Sequence, residues 1–76
     1  RKEIVKEIRK MAEEAKVAIR SIRREAIDDA REEEKNSIIT EDDLKLAENN
    51  VQKLTDSKVE EIDKILEGKE KEVMAI

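Results

Sequence analysis

The sequence predicts an all-α protein in which two long antiparallel helices, joined by a short turn, form a helical hairpin. Half of the 76 residues are charged, and the chain has no proline, no aromatic residue and one glycine, so it lacks most residues that favour β-sheets. Apolar residues make up 37% of the chain and recur at the spacing of an α-helix. Because a short connection between two long helices places them side by side in opposite directions, a hairpin follows.

The first helix is predicted over residues 2–35, where neither glycine nor proline interrupts the pattern. One apolar row steps alternately by four and three residues and comprises Ile4, Ile8, Met11, Ala15, Ala18 and Ile22. A second row widens this stripe and comprises Val5, Ala12, Ile19 and Ala26. A stripe of this width can contact two neighbouring helices, whereas a hairpin supplies one. We therefore expect residues 1–76 to be a single partial domain from inside a longer protein, with a third helix missing.

A turn is predicted over residues 36–40 and a second helix over residues 41–75. Asn36 and Ser37 interrupt the first pattern, and Thr40 precedes three acidic residues. This arrangement is typical of a helix N-terminus, because the hydroxyl accepts a bond from a free backbone N–H and the acids offset the helix dipole. Apolar residues then recur every eleven positions, as at Val51 and Ile62, which favours a nearly straight helix over the wrap of a heptad coiled coil.

The composition excludes most catalytic chemistry. The chain has no cysteine and no histidine, so the usual nucleophiles, general bases and transition-metal ligands are missing. Ser21 and Ser37 have no base beside them in the sequence, and the acidic runs lack the glycine turn and alternating ligands of a calcium loop. We expect no enzymatic activity, no cofactor and no bound metal.

The composition also bears on where the protein is located and whether it spans a membrane. The apolar runs are far shorter than the roughly 20 residues that a membrane-spanning helix needs, so we expect no membrane segment. The absence of cysteine means that nothing requires an oxidising compartment. A bacterial cytoplasm, or the stroma or matrix of an organelle, is the expected location.

The feature that points to a partner is a basic ridge on the first helix. Residues 1–24 carry nine Lys or Arg against four Glu, although the whole chain has a net charge of −4. Basic residues repeat about every seven positions in three adjoining rows beside and opposite the Ile4 row, and Arg20, Arg23 and Arg24 are the densest part. Arginine forks suit paired hydrogen bonds to phosphate, so RNA backbone is the natural target. The candidate RNA-binding residues are Arg23, Arg20, Arg24, Lys16, Arg9 and Arg31.

Three alternatives to RNA binding remain open from the charge pattern. The ridge is also compatible with a solvated face paired with nearby acids such as Glu13, Glu14 and Asp28. Membrane-surface binding is disfavoured because the apolar side lacks Trp and Phe. A purely structural, self-associating hairpin or coiled-coil-like interaction module is the main competing function, since the uncovered apolar stripe needs a partner.

Four segments of the chain resemble the ribosome recycling factor family of bacteria and organelles. Residues 13–26 (EEAKVAIRSIRREA) look like the family's arginine-rich motif, with Ser21 in place of the commoner asparagine. Residues 39–43 (ITEDD), 51–56 (VQKLTD) and 69–74 (KEKEVM) are similar to its later signatures, in the same order. The resemblance covers essentially the whole chain.

The resemblance implies a fold and a function. Family members are expected to be L-shaped, with a three-helix bundle and a smaller β-rich domain inserted after the first helix, so this chain would hold the last two bundle helices and lack the first. The bundle is expected to lie on large-subunit ribosomal RNA and, with elongation factor G, to split the ribosome after termination. By motif match, Arg23 would be the main RNA contact, with Arg20 and Arg24 beside it. Contact with elongation factor G would involve parts missing here.

Overall fold

A computed structural model of the chain describes residues 2–75, which consist of two α-helices and the turn between them. Helix α1 spans Lys2–Lys35 and helix α2 spans Glu41–Ala75. No strand occurs between residues 2 and 75, and the two helices contact each other along their length as a hairpin about 57 Å long. The predicted all-α fold class is confirmed. Within this described range, neither helix carries an apolar stretch long enough to cross a bilayer.

The end of α1 is fixed by a backbone motif centred on Ser37. This residue has a φ of 61°, in the left-handed region that L-residues other than glycine and asparagine rarely adopt. Its N–H donates to the Glu34 carbonyl at 3.0 Å, and the Ile38 N–H donates to the Glu33 carbonyl at 2.8 Å. These two bonds form a Schellman motif, which satisfies the last carbonyls of α1 and turns the chain towards α2.

The start of α2 is capped as the sequence predicts. The Asp43 N–H donates to Thr40 Oγ1 at 3.1 Å, and the Thr40 N–H donates to Asp43 Oδ2 at 3.1 Å. This reciprocal pair is a capping box, with aspartate in the place where glutamate or glutamine is commoner. The Leu44 N–H donates to the Thr40 carbonyl at 3.0 Å and begins the regular helical ladder.

The two helices pack through one edge of the apolar stripe of α1. Its half-buried residues are Val5, Ala12, Ile19 and Ala26 of the second predicted row and Ile8 and Ala15 of the first. Opposite them, the half-buried apolar residues of α2 include Leu44, Val51, Ile62 and Leu66. Thr55, 7% exposed, is the one buried residue among those described, and its hydroxyl donates to the Val51 carbonyl at 2.7 Å. The interface is therefore a single layer of half-buried apolar residues, and none of the described apolar residues is buried.

The other edge of the stripe is left uncovered. Met11 and Ile22 of α1 are 62% and 65% exposed, and Leu54 and Ile65 of α2 are 61% and 62% exposed. These four residues line two open apolar grooves of about 380 and 250 Å³ along the same side of the hairpin. We call this surface the apolar groove. It corresponds to the second contact face that the width of the stripe predicts.

Candidate nucleic-acid interface

A row of cross-helix contacts runs along the edge of the α1–α2 interface that faces away from the apolar groove. Lys16 lies five residues after Met11, which is about 140° around the helix at 3.6 residues per turn. It forms an ion pair with Asp63 of α2. Arg9 pairs with Glu70, and Arg31 Nε lies 3.6 Å from Glu48 Oε1. We call this row the charge ladder, and we call each cross-helix pair in it a rung.

The register of the charge ladder follows from the antiparallel arrangement. Stepping seven residues forward along α1, from Arg9 to Lys16, matches stepping seven residues back along α2, from Glu70 to Asp63. Positions at this spacing flank the apolar contact, as charged flanking positions do in coiled coils. The Glu70 carboxylate accepts a hydrogen bond from Arg9 and raises the pKa of the Arg9 guanidinium above its ordinary value.

The rung at Arg23, which lies between Lys16 and Arg31 along α1, has a different kind of contact. The register places Arg23 opposite Asp56, yet Arg23 Nη1 donates to Gln52 Oε1 at 3.1 Å. Gln52 Nε2 in turn donates to Asp56 Oδ1 at 2.9 Å. A neutral amide therefore contacts the arginine where the neighbouring rungs have a carboxylate. The Nε atom of Arg23 is buried and has no hydrogen-bond partner among residues 2–75.

Two of the predicted RNA-binding residues point away from α2. Arg20 has a side chain that is 46% exposed, and its closest acidic contact is Glu13 Oε1 at 3.9 Å, the outer limit of an ion pair. Arg24 is exposed and takes part in no ion pair within the described part of the chain. Both lie within one helical turn of Arg23, so the three arginines share one region of α1.

The other three predicted residues are tied into the charge ladder, so the ridge is less uniformly outward than its pattern indicates. Lys16 has only 16% of its side chain exposed. Arg9 and Arg31 remain 65% and 62% exposed beside their acidic partners. The reason is geometric: a residue that flanks the helix contact can reach across to the opposite helix, and the acids of α2 recur at the same spacing. Part of the ridge thus pairs internally.

Gln52 and Asp56 are not among the predicted site residues, although both lie in the segment 51–56 that carries the resemblance. The sequence does contain a signal for Asp56. Acids at Asp56, Asp63 and Glu70 recur every seven residues, which matches the spacing of basic residues on α1. Aligning the two series in antiparallel order would have placed Asp56 opposite Arg23.

The exposed lysines of α2 offer less to a phosphate backbone than the basic residues of α1 do. Four of them pair with glutamates three or four residues away: Lys58 with Glu61, Lys64 with Glu60, Lys69 with Glu72, and Lys71 with Glu67. Such pairs contribute only about 0.2–0.5 kcal/mol each, but they offset the local charge. Within residues 2–75, no group of three or more acidic, histidine or cysteine residues is arranged to hold a metal ion.

The fold and the basic edge define an all-α helical hairpin with a cationic surface on one helix and an apolar groove. Comparison with known proteins identifies the family to which this hairpin belongs. A family model described as ribosome recycling factor matches residues 1–74. Over all 76 residues, the chain is 62% identical to a ribosome-recycling factor of Caldicellulosiruptor saccharolyticus, 55% identical to one of Clostridium acetobutylicum and 50% identical to one of Staphylococcus carnosus. The chain belongs to the ribosome recycling factor family.

The match is complete for this chain and partial for its relatives. All of the chain is covered, but it spans 41% of the length of each of these relatives. No similar solved structure was found. Members of the family are translation factors rather than enzymes.

Proposed function

We propose that this chain is part of a protein that recycles ribosomes after termination, and that α1 binds the RNA of the large ribosomal subunit. The observation that carries the proposal is the state of three neighbouring arginines. Arg24 has no ion pair within the described residues, Arg20 has one weak contact, and Arg23 is bound by a neutral amide. Their positive charges are therefore largely unneutralised, and they form the densest cluster of arginines on α1.

Phosphate contact is the mode of binding that the chemistry favours. A guanidinium presents several N–H donors in a plane, which suits the paired oxygens of a phosphate. The chain has no aromatic residue on which a base might stack, so recognition depends on RNA shape and backbone charge. Binding of this kind weakens steeply as salt concentration rises.

The other basic residues of the charge ladder support RNA binding indirectly. Arg9 and Arg31 keep free donors on exposed side chains and add to the positive field beside the three arginines. Lys16, whose side chain is only 16% exposed, mainly joins the two helices through Asp63. We expect the loss of Lys16 to affect stability more than RNA affinity.

The proposal includes the rest of the protein as the family resemblance implies it. The apolar groove would hold the first helix of a three-helix bundle, because its exposed apolar residues need a helix-sized cover. Elongation factor G would act through parts of the protein beyond this chain, and the protein would work in the cytoplasm or in an organelle stroma or matrix.

Binding of the full-length protein to large ribosomal subunits tests the proposal. We expect Arg20→Ala, Arg23→Ala and Arg24→Ala each to weaken binding, with Arg23→Ala the most severe. Lys64→Ala is the matched control, because it removes the same charge from an exposed side chain on α2. Equal affinities for the arginine variants, the control and the unchanged protein would rule out the proposed interface.

A further inference from the structure

We propose that Gln52 is a positioning residue that holds the Arg23 guanidinium in place for a phosphate group without neutralising it, and that Asp56 fixes the orientation of Gln52. The inference rests on the proposed function, because it assumes that Arg23 contacts RNA. It assigns roles to two residues of α2 that have no direct contact with RNA in the proposal.

The hydrogen bonds define which way the Gln52 amide faces. The Asp56 carboxylate can only accept hydrogen bonds, and it lies 2.9 Å from Gln52 Nε2. The amide nitrogen must therefore face Asp56, which leaves the amide oxygen facing Arg23 Nη1 at 3.1 Å. Without Asp56, the amide would be free to turn its own N–H groups towards the guanidinium, where two sets of donors would repel each other.

The choice of an amide rather than a carboxylate sets the charge of the rung. Arg9, Lys16 and Arg31 each contact a carboxylate directly, so each of these cations is offset by an adjacent negative charge. Gln52 provides an acceptor but no charge, and the Asp56 carboxylate stands one side chain further away. The arginine is thus oriented and still able to attract a second anion.

The hydrogen bonding of Arg23 is incomplete within the hairpin. Nη1 makes the contact to Gln52, whereas Nε is buried and unpaired within residues 2–75. Buried polar groups in proteins are nearly always satisfied, so an exception calls for an explanation other than stability. Placement of the guanidinium for an external ligand is such an explanation.

The decisive variant is Gln52→Glu in the full-length protein. A glutamate has nearly the same shape and still accepts the bond from Arg23, but it adds the negative charge that the other rungs have. We expect large-subunit affinity to fall about as far as in Arg23→Ala. The slope of log affinity against log salt concentration should decrease by about one unit, as for one lost phosphate contact.

The matched control is Asn49→Asp. It makes the same amide-to-carboxylate change one turn earlier on α2, at an exposed residue with no contact to Arg23. We expect a much smaller loss of affinity and an unchanged salt slope. Helix content and unfolding temperature should match the unchanged protein in both variants, which separates positioning from a merely structural role.

The outcomes distinguish the inference from the proposed function. If Arg23→Ala weakens binding but Gln52→Glu behaves like Asn49→Asp, the inference is wrong and the RNA contact stands. If Arg23→Ala has no effect, both are wrong. Should Gln52→Glu unfold, Gln52→Met replaces it, because methionine keeps the volume and removes the acceptor. We then expect a several-fold loss of affinity with the salt slope retained, and full affinity would overturn the inference.

Discussion

Arg23 Nη1 lies 3.1 Å from Gln52 Oε1, whereas seven residues earlier on the same edge of α1 Lys16 forms an ion pair with Asp63. The two positions occupy equivalent places in the charge ladder, and they differ in whether the cation meets a charge or a neutral dipole. This difference divides the basic edge into cations that join the helices and cations that remain available. The proposed RNA contact of α1 depends on that division.

The contribution of the Lys16–Asp63 ion pair to the association of the two helices can be measured. We expect the charge reversal Lys16→Glu to destabilise the full-length protein, because two carboxylates then face each other across the helices. Adding Asp63→Lys should restore the attraction. A double-mutant cycle from urea unfolding should give a coupling of about 0.5–1 kcal/mol, near the upper end for ion pairs of this kind.

The matched control for this cycle is the exposed pair Lys64 and Glu60 within α2. Reversing both charges there should give a coupling of about 0.2–0.5 kcal/mol, as for ordinary pairs on one helix. Large-subunit affinity should change little in the doubly reversed Lys16 and Asp63 variant. A coupling no larger than the control would contradict the joining role of this rung.

A second prediction concerns the backbone at Ser37. The Ser37→Gly variant should be more stable by roughly 1 kcal/mol, because glycine adopts a positive φ without the steric cost that serine has. Chemical denaturation of the full-length protein measures this change. Asn36→Gly, at the preceding residue, is the control and should give no stabilisation, since glycine's flexibility in the unfolded state then has no compensating gain. Equal effects at both positions would show that the strain at Ser37 is negligible.

A third prediction concerns the apolar groove. The isolated 76-residue chain exposes Leu54 and Ile65 there, so we expect it to self-associate through this surface. Light scattering over a range of concentrations should detect dimers or larger species. Leu54→Lys should shift the chain towards monomer. Leu46→Lys is the control, because Leu46 is 60% exposed, nearly the same as Leu54, and does not line the groove.

Two other results of the light-scattering experiments would lead to different conclusions about the apolar groove. If the chain is monomeric at all concentrations, self-association is excluded and the competing structural function loses its basis. If Leu46→Lys and Leu54→Lys have equal effects, association occurs through general hydrophobicity rather than through the groove. In the full-length protein, where the family resemblance implies a covering helix, Leu54→Lys should instead lower the free energy of unfolding.

The helical fold was predictable because local signals agree with each other. The absence of proline, the long apolar period and the Thr40 cap all indicate the same two helices, and the structure contains both of them. The sequence predicts a break at Ser37 but not its left-handed conformation, because glycine or asparagine is the usual sign of that conformation. The signal at this position is in backbone geometry rather than in residue type.

The candidate site was only partly predictable. The stripe of α1 contains two apolar rows, and composition does not decide which row contacts α2; the structure places Ala12 and Ile19 there and leaves Met11 exposed. The choice depends on helix register, which is set by the turn and by matching side chains across the interface. The same register turns Lys16 towards Asp63 and brings Gln52 to Arg23.

The most direct test of RNA binding by α1 is the salt dependence of large-subunit affinity for a triple alanine variant of Arg20, Arg23 and Arg24 in the full-length protein. The matched control replaces three exposed lysines of α2 that do not line the apolar groove: Lys45, Lys64 and Lys71. We expect the slope of log affinity against log salt to decrease by about two to three units in the arginine variant, and by far less in the control. Identical slopes and affinities in the two variants, with helix content intact, would contradict the assignment of this surface to ribosomal RNA.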